Sequence, residues 1–249
     1  DLREQLTKLE SIATPSITQI ANMLNMEKTA LNAVDTMLGE YDDLVSLLPQ
    51  LLGEKGKRTY LVLVQNSAEL RSAGGMVGTV APIPADKGVV TIGDFQTTAD
   101  YELPSEPMDD LIETERQVFG ETFDMYAQTT TIDPEYQRVA LMNKYLWQMQ
   151  KGNEKANVAG VLALDPVFLQ SLLGATGSVT LSDGKVLDST STVSFLLHDL
   201  YVEHNDFADQ NKYVSEAAKE IMSHVLGNTN GSTVSALLKA IRETSANGH

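Results

Sequence analysis

One stretch constrains this chain more than any other. The apolar run Tyr60-Leu61-Val62-Leu63-Val64 leads directly into Gln65-Asn66-Ser67-Ala68-Glu69-Leu70-Arg71-Ser72-Ala73-Gly74-Gly75-Met76-Val77-Gly78. Five consecutive apolar residues predict a strand over 59–64 that is buried on both faces. Its expected end at Val64 brings Gln65, Asn66, Glu69 and Arg71 to the rim of a core. Gly74, Gly75 and Gly78 then allow backbone conformations and close approaches that a side chain forbids. In open α/β sheets, ligands bind outside the carboxyl ends of strands. Gln65, Asn66, Glu69, Arg71, Gly74 and Gly75 are therefore candidate binding residues. Glu69 is the candidate ligand for a divalent cation such as magnesium, and Arg71 the candidate partner of an anionic group. Backbone amides near Gly74 and Gly75 have the makings of an anion-binding nest. The same residues also fit a structural turn, with Asn66 and Glu69 satisfying loop amides and Arg71 paired to a carboxylate. Both readings stand on the sequence.

Charge narrows the partners. A net charge of -16 over 249 residues argues against nucleic acid, which needs clustered Lys and Arg, and against an acidic membrane surface. It suits solubility, divalent cations or basic partners. With no cysteine, disulfides, thiolate metal sites and cysteine nucleophiles are all excluded. No nucleophile elbow, Walker motif or dinucleotide fingerprint occurs. The chain opens inside a helical pattern, Asp1-Leu2-Arg3-Glu4-Gln5-Leu6, which leads us to expect a preceding export signal or membrane anchor.

The remaining elements follow in order. Residues 1–52 carry helical periodicity, interrupted at Thr14-Pro15. They fit either a helical layer on the body or a stalk that spaces it from a membrane. The body spans 53–249. After the first strand come a strand over 76–83, a turn at 85–88 and a strand over 89–92. The polar stretch 93–106 fits a site loop or a plain surface loop. Helices are expected over 107–119, after Asp133-Pro134, after Asp165-Pro166, from about Ser191, over 211–226 and at the end of the chain. Trp147 falls off the apolar stripe of its helix and is expected to cover a neighbouring loop, with a carbohydrate platform as the alternative. Val158–Leu164 reads as a strand covered on both faces. His198 and His204 sit among carboxylates but are six residues apart, the wrong step for two ligands on one helix face. Strands alternating with helices, with a hairpin among them, predict a three-layer α/β/α fold with a mixed sheet.

Two segments carry a resemblance. The motif at 65–78 and the run from Leu162-Ala163-Leu164-Asp165-Pro166 to Gly177-Ser178-Val179 resemble an actinobacterial domain-of-unknown-function family of membrane-anchored envelope proteins. The likeness extends from about Pro49 to Leu226. The layout is in turn similar to the LytR-CpsA-Psr phosphotransferases, which move glycopolymers from polyprenyl pyrophosphate to the cell wall. On that likeness Arg71 matches a turn arginine, Glu69 stands where an aspartate is usual, and Gly177-Ser178-Val179 matches a later turn. Departures are several. No Ser-Asp-Thr stands near Gly74–Thr79. Gly93-Asp94-Phe95 replaces an arginine-bearing hairpin end, which makes Asp94 a further candidate binding residue. Asp209-Gln210-Asn211-Lys212 lies where an arginine-rich helix should begin.

Pyrophosphate needs clustered cationic or metal groups, and the chain keeps one of the expected arginines. The expectation is therefore a non-catalytic module on the outer face of a bacterial membrane, held there by a segment outside this sequence. Its expected partner is a glycopolymer, a lipid-linked precursor or an envelope protein. The alternative is a divergent metal-dependent phosphotransferase.

Overall fold

The computed structural model describes residues 47, 49–105, 108, 112–228 and 231–249. Contacts divide the chain into two compact units, Asp1–Leu51 and Leu52–His249. The helical reading of 1–52 falls almost wholly outside the described residues, as does the acidic first turn expected at Asp109 and Asp110. Among the described residues no helix is long and apolar enough to cross a membrane.

The second unit is built on two long strands, β1 (Arg58–Arg71) and β2 (Gly74–Asp86). They pair antiparallel. β5 (Val158–Leu164) adds to β1 in parallel, matching Val62 to Leu162 and Val64 to Leu164. β3 (Val89–Val90) and β4 (Gln96–Thr97) both pair with β2, which completes a five-stranded mixed sheet. A separate two-stranded ribbon joins β6 (Val179–Thr180) to β7 (Val186–Leu187).

Strand alternation sends β1 into two apolar clusters. Leu61 and Leu63 pack with Val77, Val80, Leu146 and Trp147. Val62 and Val64 pack with Leu169, Leu173, Phe195, Leu200 and Ile221. The first cluster uses α2 (Ala127–Thr130) and α3 (Tyr136–Met149). The second uses α4 (Pro166–Thr176), α7 (Phe207–Gly227) and the helical stretch before it. That stretch is α5 (Thr192–Ser194), a π-helical turn Phe195–Asp199 and α6 (Leu200–Glu203). α8 (Gly231–Ala246) lies against α4. α1 (Ile112–Phe119) is tied down by two bidentate ion pairs: Arg116 to Asp124, and Arg138 of α3 to Glu115. Between them sits a small cluster of Ile112, Phe123 and Met142.

Several sequence expectations need correction. The first strand does not stop at Val64. It runs on through two bulges to Arg71, because Gln65 and Asn66 still pair with Val77 and Met76, and Arg71 with Gly74. Val89–Ile92 is expected as a strand, yet β3 ends at Val90. Pro82 and Pro84 of β2 have no N–H to give, so Thr91 and Gly93 donate to their carbonyls and receive nothing back. Val158–Leu164 is an edge strand with Leu162 half exposed, not one covered on both faces. Trp147 is buried in the cluster with Leu61 and Leu63, as part of the core. Asp133 does not cap a helix. Its carboxylate accepts from Glu135 N in a local turn, and the helix begins at Tyr136. Asp165 does cap α4, accepting from Phe168 N with Pro166 in the first turn.

Candidate functional site

The motif folds as the far end of the β1–β2 hairpin. The bulge between Asn66 and Leu70 leaves 67–69 outside the ladder. Gln65 is buried and turns its amide back into the hairpin, donating to Ala73 O and accepting from Gly75 N. The two glycines make room for this. A Cβ at Gly74 would stand 2.3 Å from Gln65 Oε1, and one at Gly75 would stand 2.3 Å from Asn66 O. Gly74 also has φ of +106°, where a side chain is strained. Gln65, Gly74 and Gly75 thus hold the hairpin end together, and the Gly75 amide is already engaged.

Asn66, Glu69 and Arg71 behave differently. Asn66 Oδ1 accepts from Ala68 N at 3.0 Å, which orients the amide nitrogen outward. That nitrogen donates to Tyr201 Oη at 2.7 Å and reaches Glu69 Oε1 at 3.4 Å. Tyr201 therefore acts as acceptor and keeps its own proton to donate. Burial and the nearby Glu69 carboxylate raise the Tyr201 pKa. The π-helical turn ends two residues before Tyr201, and such turns recur at functional sites. Arg71 Nη2 stands 3.9 Å from Glu69 Oε2, a long contact between half-exposed groups. Its Nε is buried and has no hydrogen-bond partner. Arg116 and Arg138, by contrast, are each locked in a two-pronged ion pair.

A cavity of about 300 Å³ opens beside the hairpin, where the parallel pair β1 and β5 ends. Gln65, Gly74, Tyr136, Ala163, Asp165 and His249 are in its wall. Asp165 Oδ2 is held by His249 Nδ1 at 2.6 Å. Burial pushes the Tyr136 phenol up to about 12, so it stays protonated. This is the position that the rule for open α/β sheets indicates.

The structure brings Asn66, Glu69 and Arg71 together and adds Tyr201, which only the fold could supply from 135 residues away. Asp94 is exposed, and no described contact joins it to this group. Glu69 has the Asn66 amide, the Arg71 guanidinium and the Tyr201 phenol as its described neighbours. Among the described residues no group of three or more His, Asp or Glu is placed to hold a metal. His198 pairs with Asp199, and His204 packs against the Tyr213 ring.

Residues 55–201, more than half of the chain, match the family described as "Protein of unknown function (DUF4012)", and the chain belongs to that family. Tyr201 is the last residue of the match. Among curated proteins, none matches the chain.

Proposed function

We propose that this DUF4012 domain is a non-catalytic binding module of the bacterial cell envelope, working outside the cytoplasmic membrane. Its ligand is a glycopolymer or lipid-linked precursor with an anionic group. The observation that carries the reading is Arg71: a half-exposed guanidinium with one unpartnered buried N–H, linked through Glu69 and Asn66 to a tyrosine that has a proton to give. Guanidinium is suited to oxyanions because its planar donors match their geometry. One arginine and one phenol make a recognition site, not the cationic cluster that would neutralise a pyrophosphate in transfer chemistry.

The three-layer arrangement belongs to the same reading. Alternate residues of β1 feed two separate apolar clusters, which supports helices on both faces of the sheet and a likeness to the LytR-CpsA-Psr layout. The alternative is a divergent phosphotransferase with a magnesium ion on Glu69, a half-exposed carboxylate held, among the described residues, only by long contacts to Asn66 and Arg71.

Thermal unfolding with and without a polyprenyl pyrophosphate, in magnesium and in EDTA, tests both. A ligand that binds the folded state raises its apparent stability once present well above its dissociation constant. The binding-module reading expects a shift in EDTA that Arg71→Ala abolishes. A shift that requires magnesium and disappears in Glu69→Ala would favour the phosphotransferase. No shift in either condition would overturn the anionic-ligand reading.

A further inference from the structure

We propose that the segment from Phe95 to Tyr101 forms a second binding site, for a neutral polyhydroxylated ring such as a hexose. A cavity of about 350 Å³ is lined there by Phe95, Gln96, Thr97, Asp100, Tyr101 and Gln150.

The wall is firmly built. β4 pairs Gln96 and Thr97 with Val80 and Thr79 of β2. Thr98 Oγ1 donates toward Val77 O at 2.9 Å and Gly78 O at 3.1 Å, the carbonyls at the first hairpin bulge. Gln150 clamps the far end, accepting from Glu102 N at 2.9 Å and donating to Glu102 O at 3.1 Å. Within a segment fastened so fully, two buried hydroxyls are left without partners, Thr97 Oγ1 and Tyr101 Oη. Such pairs are rare in folded proteins, and each one calls for a missing partner. Burial raises the Tyr101 pKa far above its ordinary value, so the phenol is a protonated donor at any physiological pH.

The lining chemistry selects the ligand. Each hydroxyl both donates and accepts, as the vicinal hydroxyls of a sugar do. The half-buried rings of Phe95 and Tyr101 offer apolar surface to the C–H face of such a ring. Asp100 is exposed and is the only charged residue among the six. It accepts from hydroxyls and repels anions. Without a lining cation, the charge of a phosphate or carboxylate is left unpaired here. Both orphan oxygens are covered by protein atoms, so the ring gains them as the segment gives way. This site stands apart from Arg71 and does not rest on the reading of the hairpin end.

The test is a calorimetric and ligand-observed NMR titration with methyl glucoside, N-acetylglucosamine and cellobiose. Glucuronate and glucose 6-phosphate serve as charged controls. The expected result is saturable binding of at least one neutral sugar with Kd near about 1 mM, and none by the charged pair. Tyr101→Phe and Asp100→Asn should each weaken it at least tenfold, while Arg71→Ala leaves it intact. The unfolding temperature of Tyr101→Phe should be unchanged or higher, since the change removes an unpaired hydroxyl. Absence of saturable neutral-sugar binding would overturn the proposal. So would binding that neither variant weakens, because the sugar would then sit elsewhere.

Discussion

Two stretches of the body, residues 71–147 and residues 158–249, differ in how completely their buried polar groups are satisfied. Among the described residues of 158–249, no buried side-chain polar atom lacks a partner. Asp165 caps α4 and meets His249, Thr192 donates to Asp188 O, and Thr244 donates to Ala240 O. Between Arg71 and Trp147, satisfaction is incomplete. Among the described residues the unpartnered buried side-chain atoms belong to Arg71, Thr97, Tyr101, Gln128, Thr131, Asn143 and Trp147. All lie between Arg71 and Trp147 in sequence, and none lies in 158–249. Unpaired buried polar groups each cost about 1–3 kcal/mol, so a cluster of them is retained where ligand or water completes it. Both apolar clusters reach the proposed sites: Phe95 and Tyr201 pack against the Val62 cluster, and Tyr101 against the Leu61 cluster.

The largest expected effect lies on the satisfied side. Leu169→Ala removes a fully buried side chain and should lower stability by about 2–5 kcal/mol in urea unfolding. A loss below that range would mean the cluster is less tightly packed than the comparison requires. Next come the groups that hold the hairpin end. Gly75→Ala sets a Cβ against Asn66 O and should lower stability by about 1–3 kcal/mol in the same assay. On the incomplete side the sign should change. Thr131→Val replaces a buried unpaired hydroxyl with a methyl group and should be neutral or stabilising by up to about 1 kcal/mol. A clear loss would show that its hydroxyl has a partner, and would break the comparison.

The smallest effect is in acid. Asp188 accepts from the backbone and side chains of Thr190 and Ser191, which hold its pKa at about 2. Its unfolded value is about 3.9. The folded form therefore binds its proton less readily. The stabilisation is present above about pH 4 and is lost as pH falls toward 2. Asp188→Asn should flatten the acid limb of the stability curve slightly, as read by thermal unfolding between those values.

Much of this was legible in the sequence. The strand at 59–64, the cap at Asp165 and the mixed α/β class follow from apolar runs and short-range turn chemistry. The hairpin extension was not, because Gln65 and Asn66 are polar and the signal for strand continuation was their pairing with Val77 and Met76. Periodicity placed Trp147 off the helix stripe, yet the buried face of α3 is wide enough to take both Leu146 and Trp147. At the site, Asn66, Glu69 and Arg71 were visible as a motif. Tyr201 was not, since nothing local marks a tyrosine after Asp199-Leu200 as the partner of residue 66. The division of the motif into groups that hold the turn and groups left open needed the geometry of Gly74 and Gly75.

That division is the central claim, and one measurement reaches it directly. Gln65→Ala and Arg71→Ala should be unfolded side by side in urea. Gln65 supplies the acceptor for Gly75 N, so its removal should lower stability by about 1–3 kcal/mol. Arg71 is half exposed with only a long contact to Glu69, so its removal should stay within about 0.5 kcal/mol of wild type. Equal losses in the two variants would mean that Arg71 also holds the turn, and would contradict its assignment to a ligand.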